Sequence, residues 1–360
     1  MEFVETRVLD GPNLFLPRPA IKLEIANVEA GDLTNLADAV ASLAPSEPAQ
    51  GATPSQAEDI SATAGRLLQR LVEALHEAAG APAPDSVAVP LERQGHHAVA
   101  FSWDHRAFAT ALAKLARDLA TGQAVETGAR LNELRRALEP PFPDDDAPQM
   151  IRDAARSIPI IAVTGTNGKT TTTRLIASIL RGTGRKVGWC SSVGVFIQGE
   201  QVLEGDYTGP SGAARVFAEP DLDVAVLETA RGGILLRGLG YESNDVSVVT
   251  NISADHLGLH GIFTVEGLAR VKRIVPRATR PGGFAVLNAD DSRVLAMRDG
   301  LRARPFLITR QAAHDEVAAH VAAGGWALRV VDGNIHWMHD GDEETLISVE
   351  QIPITIGGRA

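Results

Sequence analysis

The chain has 360 residues, 44% of them hydrophobic, and a formal net charge of −11. That is enough material for two or three domains with buried cores. The acidic balance excludes a general nucleic-acid surface, which needs clustered Lys and Arg, so no nucleic-acid partner is expected.

In chain order, short strands are predicted near Thr6 to Leu9 and Ala20 to Ile25, followed by a helix from about Ser55 to Ala79. Two more strands, Ser86 to Leu91 and His97 to Ser102, precede a helix from Ala107 to Ala120. Leu67, Leu68, Leu71, Val72 and Leu75 recur at helical spacing, and Ala98 and Phe101 suit a sheet that packs on that stripe. This predicts a small α+β domain over residues 1–138 with no catalytic cluster. Proline-rich breaks fall at 44–54 and 139–148, where lost amide donors and solvated aspartates oppose helix and central strand alike. The second reads as a linker, 139–150.

From 151 to 360 strands alternate with helices: strands Ile158 to Val163, Val187 to Ser191, Val224 to Glu228, Val246 to Ile252 and Phe284 to Leu287, helices Lys169 to Arg181 and Thr264 to Ile274. Near-continuous apolar strands separated by helical periods imply an α/β fold, a parallel sheet covered on both faces. Functional residues then belong at the carboxyl ends of the strands. From Trp326 the pattern changes to a hairpin, with strands Trp326 to Val331, Ile335 to His339 and Leu346 to Ile356. His314 and His320 fall in an alanine-rich helix, and these and the other late histidines read as surface or packing residues.

Cys190, the one cysteine, excludes an intrachain disulfide and reads as a small buried hydrophobe. No signal peptide opens the sequence and no apolar run approaches membrane-spanning length, so a cytoplasmic protein without a membrane partner is expected.

The chemistry begins at Ile160 to Thr171. An apolar strand runs into Gly165-Thr166-Asn167-Gly168-Lys169-Thr170-Thr171. The glycines let backbone N–H groups converge on an anion, Lys169 adds a mobile positive charge, and Thr170 opens a helix whose positive end also favours negative charge. ATP with Mg²⁺ is the expected ligand. Only two residues separate Gly165 from Gly168-Lys169, not the four of the Walker A loop.

Glu228 emerges at the end of a buried strand, where with Thr170 it offers Mg²⁺ hard oxygens. Arg231, three residues on, has the planar fork that holds two oxygens of a carboxylate or phosphate. Asn251, Asp255 and His256 end the next strand. His256 is read as a metal ligand, the alternative being a pair with Asp255 that fixes the loop. Asn288, Asp290 and Asp291 end a further strand, as a nucleoside contact or simply a turn. Lys272 by itself is a solvated lysine or an ion-pair partner.

The Thr164 to Thr171 run resembles the ATP loop of the Mur ligase superfamily. Together with Gly205 to Pro210, Glu228 to Gly240, Asn251 to Gly258 and Leu287 to Asp291, it resembles the Mur-ligase-like half of the cyanophycin synthetase family, from about Ile158 to Ala360. Arg7 to Asn13 carries a weaker similarity to that family's N-terminal domain.

The resemblance implies a Mur-ligase central domain and an ATP-dependent ligase joining a carboxylate to an amino-acid amine through an acyl phosphate, the acid being a small molecule or peptide. It implies that Lys169 and Thr170 bind phosphates and Mg²⁺, that Glu228 and His256 bind metal, and that Asn288 with Asp290 or Asp291 contacts the nucleoside. It also puts Lys272 where many Mur ligases carry a carbamylated lysine.

Two departures set further expectations. No ATP-grasp domain lies between the two parts, so aspartate-adding activity is expected to be absent. The chain stops at Ile354 to Ala360, where the family pattern enters a domain that closes over ATP. Orientation can contribute about 7–11 kcal/mol to such chemistry, so a separate chain is expected to supply this lid or the ATP-grasp domain. The competing readings are a non-catalytic ATP-binding protein and a Mur-type ligase for a cell-wall peptide or a folate.

Overall fold

A computed structural model of the chain describes residues 1–43 and 60–352. The break at 44–54, the predicted helix start at Ser55 and the end of the last predicted strand lie outside the described residues. The first elements are β1 (Glu2–Leu9), β2 (Ala20–Ala26), α1 (Ala30–Leu43), α2 (Ile60–Ala79), β3 (Ser86–Pro90), β4 (His97–Ser102), α3 (Arg106–Ala120) and α4 (Thr127–Arg136). Next come β5 (Ile160–Thr164), α5 (Lys169–Gly182), β6 (Val187–Ser191), β7 (Gly194–Ile197), β8 (Glu200–Glu204), α6 (Pro210–Phe217), β9 (Val224–Glu228), α7 (Arg231–Arg237) and β10 (Asn244–Val249). The last are α8 (Val265–Lys272), α9 (Ile274–Arg277), β11 (Thr279–Asn288), α10 (Ser292–Leu295), β12 (Arg304–Ile308), α11 (Asp315–Ala322), β13 (Trp326–Val331), β14 (Asn334–His339) and β15 (Asp342–Ser348).

Two compact units result. The first comprises Met1–Met150, Gly232–Glu242 and Gly258–Thr264, the second Ile151–Arg231, Ser243–Leu257 and Val265–Ala360.

The first unit holds an antiparallel sheet in the order β1-β2-β4-β3. Alternation puts Ile21, Leu23 and Ile25 of β2 with Val99 and Phe101 of β4 on one face. There they bury against Leu68, Leu71, Val72 and Leu75 of α2 and Leu112 of α3, each leucine contributing about 1.5–3 kcal/mol. Helices α1 and α4 escaped the sequence reading because they bury little: Leu36 and Ala39 in one, Leu134 in the other. So few buried positions leave no apolar stripe to detect.

Among the described residues of the second unit eleven strands form one sheet, ordered β15-β14-β13-β12-β11-β10-β5-β9-β6-β7-β8. The run from β6 to β13 through β9, β5, β10, β11 and β12 is parallel, and antiparallel strands close both ends. Helices cover both faces, as neighbouring residues of β10 show. Val248 joins Val163, Val226 and Ala177 under α5, whereas Val249 joins Leu287, Leu307 and Val317 under α8 and α11. Strands β7, β8 and β12 were not foreseen. Pro305 disguises β12, and β8 reads Glu-Gln-Val-Leu-Glu with almost no burial. His314 precedes α11 as its N-cap residue rather than lying inside the helix.

Candidate nucleotide and metal site

Strand β5 delivers the glycine loop, and the loop holds its shape through β10's carboxyl end. Gly165 has φ +142°, and a Cβ there would lie 1.9 Å from Thr250 Oγ1, so only glycine lets the two segments meet. Thr250 Oγ1 donates to the Asn167 carbonyl at 2.7 Å. Asn251 completes the clamp: its Nδ2 donates to the same carbonyl, its Oδ1 accepts from Asn167 N, and its backbone oxygen accepts from Thr166 N at 2.8 Å. Ser253 N donates to Thr166 Oγ1 at 3.1 Å. Thr250 and Ser253 were not picked out in the sequence, and no spacing signal marks them, because they act across a crossover. The amides of Thr166 and Asn167 are thus committed inside the protein. This leaves the amides of the first turn of α5, from Lys169 through Thr171, as the ones without intrahelical acceptors.

Lys169 Nζ donates to the Thr166 carbonyl at 2.8 Å, which folds the side chain back over the loop. Thr170 Oγ1 donates to Glu228 Oε2 at 2.8 Å and lies 3.1 Å from Ser192 Oγ. Ser192 N is 3.4 Å from the same carboxylate oxygen. Ser192 is a further member of this cluster that the sequence did not announce. Thr171 is exposed on the next position of α5. Glu228 is buried, with its pKa raised. Burial is the largest cause, and the Asp206 charge adds to it, against the Thr170 hydroxyl, the Lys169 charge and Ser192 N–H. A desolvated carboxylate beside two hydroxyls is a hard-oxygen donor set that suits Mg²⁺.

Lys272, on α8, is 3% exposed and donates to the Gly165 carbonyl at 2.5 Å. Burial and then the Lys169 charge push its pKa down to about 7, with Arg231 adding and Asp255 and Glu228 opposing. It is neither the solvated lysine nor the simple ion-pair member that its sequence context suggested. Arg231 Nη1 is buried and meets no hydrogen-bond partner in the described structure. A donor left unmatched in this way costs about 1–3 kcal/mol, more for a charged group.

Because the folded value lies below the ordinary 10.5, folding disfavours the charged lysine. The resulting penalty is full below pH about 7 and fades as pH rises from there toward 10.5. Lys272→Met is therefore expected to stabilise the protein more at pH about 6 than at pH about 9, by about 1–3 kcal/mol, as read by urea unfolding at both pH values.

The other predicted residues have protein partners of their own. His256 is 68% exposed, and its Nε2 lies 3.4 Å from Asp255 Oδ1, the pairing weighed as the alternative to metal binding. Among the described residues no three His, Cys, Asp or Glu side chains gather into a metal-holding group. Asn288 Nδ2 donates to the Thr250 carbonyl and its Oδ1 accepts from Asp290 N. Asp291 caps α10 through Arg293 N and Val294 N and also accepts from Ile252 N at 2.6 Å. Asp290 accepts from Thr309 Oγ1, Arg310 N and Gln311 Nε2. Burial alone would raise its pKa, but these bonds lower it. Cys190 is buried and its thiol is pushed up to about 12, mainly by desolvation, so it is a packing residue and no nucleophile. No helix among the described residues is long and apolar enough to cross a membrane.

Comparison with known proteins gives this geometry a family. Cyanophycin synthetase of Nostoc sp. (strain PCC 7120 / SAG 25.82 / UTEX 2576) is 46% identical over 203 residues, which are 56% of this chain and 22% of that protein. The chain thus spans about a fifth of that relative's length. UDP-N-acetylmuramoylalanine–D-glutamate ligase of Symbiobacterium thermophilum is 33% identical over 203 residues, 56% of this chain and 38% of the relative. A solved UDP-N-acetylmuramoyl-L-alanyl-D-glutamate–2,6-diaminopimelate ligase aligns at 22% identity with a TM-score of 0.42, covering 54% of this chain and 40% of the other. The family model of the Mur ligase middle domain matches residues 163–350, from the end of β5 to beyond β15. That match takes in more than half of the chain and every residue of the loop, and it places this protein in the Mur ligase family.

Proposed function

We propose that this chain carries the ATP-binding, phosphoryl-accepting part of a carboxylate–amine ligase that forms an amide or isopeptide bond through an acyl phosphate. The observation that carries the reading is the Thr170–Glu228 pair, a hydroxyl on the helix that follows the glycine loop and a buried carboxylate at the end of β9, 2.8 Å apart. Thr170 and Glu228 would hold Mg²⁺, with His256 as a further ligand, and the ion would neutralise charge on the transferred phosphoryl group. Lys169 and the free amides of α5 bind the phosphates, and Gly165 to Thr171 shape their cradle. Asn288, Asp290 and Asp291 border the nucleoside. Arg231, with an unmatched buried donor, holds the acid's carboxylate against the γ-phosphate. Lys272 lies behind the loop, where a carbamylated form would turn a buried cation into an anion among Lys169 and Arg231.

The high identity to cyanophycin synthetases supports an aspartate side-chain carboxylate and arginine as acid and amine. In this reading residues 1–138 form an N-terminal domain, 139–150 a linker and 151–360 the ATP-binding domain. Equilibrium dialysis with ATP tests the assignment. Binding is expected to need Mg²⁺, with phosphate release once an aspartate peptide with a free side-chain carboxylate and arginine are added. Absence of any nucleotide binding would sink it.

A further inference from the structure

The first unit holds a cavity of about 560 Å³ over the C-terminal part of α3 and the start of α4, a size typical of small-molecule sites. Its lining includes Lys114, Arg117, Asp118, Val125 and Arg130. The side chain of Asp118 is 10% exposed and accepts no hydrogen bond from the described residues, so the open part of its carboxylate is left to solvent or to a ligand in the cavity. Its nearest cation is Arg117 Nε at 3.8 Å, beyond hydrogen-bond reach. The two neighbouring donors are used otherwise: Thr121 Oγ1 and Gln123 N both go to the backbone carbonyl of Asp118, at 3.2 and 2.9 Å.

The cavity wall is cationic. Arg130 is committed to Glu133 at 2.8 Å. Lys114 makes no ion pair among the described residues, and Arg117 has only the long contact with Asp118. An anion alone entering here meets Asp118, and a cation alone meets Lys114 and Arg117. One class of molecule satisfies both: a compact zwitterion, whose ammonium would give Asp118 its missing donors while its carboxylate meets Lys114 and Arg117.

We propose that this cavity is a binding site for a free α-amino acid, built from Asp118, Lys114 and Arg117 of its lining. It lies wholly within the first unit and does not depend on the nucleotide reading of the second.

Isothermal titration of the full chain, without nucleotide, tests the site. The ligands are the common amino acids, glycine included, with acetate and methylammonium as single-charge controls. At least one amino acid is expected to bind at millimolar or lower concentration, with both controls about tenfold weaker or worse. Asp118→Asn and Lys114→Gln are each expected to weaken that binding by about tenfold or more, while affinity for ATP stays unchanged. Lys114 is exposed, so its substitution decides the matter even if Asp118→Asn unfolds the unit. Acetate binding as tightly as glycine would make this an anion site and overturn the proposal. So would silence from every amino acid, or wild-type binding in both variants, which would place the amino acid elsewhere.

Discussion

Lys169→Ala is expected to weaken ATP binding by about 2–5 kcal/mol, roughly 30-fold or more, the usual loss when one partner of a buried, hydrogen-bonded charge pair is removed. The side chain is half-buried and already bent over the loop by its bond to Thr166, so little ordering is left to do when a phosphate arrives. The same bond offers a rival account, in which Lys169 only braces the loop. The two separate cleanly in one pair of measurements. A bracing lysine would lower Tm on substitution and leave the Kd for ATP within about twofold, whereas a phosphate ligand shows the reverse.

Glu228→Gln has opposite effects on stability and binding. The folded-state pKa of Glu228 lies above the ordinary 4.5, chiefly through burial, so folding disfavours the ionised form. The metal-free protein then gains stability as pH falls from neutral through that raised value, and the gain levels off below 4.5. Glutamine carries no such cost. With chelator present, Glu228→Gln is expected to be more stable than the parent near neutral pH by about 1–3 kcal/mol, with the difference closing as pH falls toward 4.5. Its ATP binding should no longer respond to Mg²⁺. Thermal unfolding across pH, paired with dialysis at varied Mg²⁺, reads both. A variant less stable at every pH with unchanged Mg²⁺ dependence would make Glu228 a structural partner of Thr170 and nothing more. A residue that destabilises the empty fold while serving a ligand is the pattern expected of a site rather than a core.

Much of the second unit was legible from one dimension. The runs at Ile160, Val187, Val224, Val246 and Phe284 are largely apolar because both sheet faces are covered, and that pattern survives in sequence. The glycines, Lys169 and Thr170 were equally plain, since all lie within one turn of chain. Less visible were β12, whose proline hides it, the four-residue β7, and the edge strand β8, whose weak burial leaves little pattern.

The sequence by itself determined the chemical parts: a strand, a glycine-bearing loop, a lysine, two hydroxyls and acids at strand ends. It did so because phosphate binding by backbone needs local conformations that only certain residues adopt. Only the tertiary structure decided what those parts meet. Thr250, Asn251 and Ser253 clamp the loop from over 80 residues away, and Ser192 joins Thr170 and Glu228. Lys272 has its pKa lowered because the fold buries it near Lys169 and Arg231, and Asp118 lines a cavity without a hydrogen-bond donor from the described residues. Burial and electrostatic neighbourhood are properties of the packed chain, where residues distant in sequence share one dielectric environment.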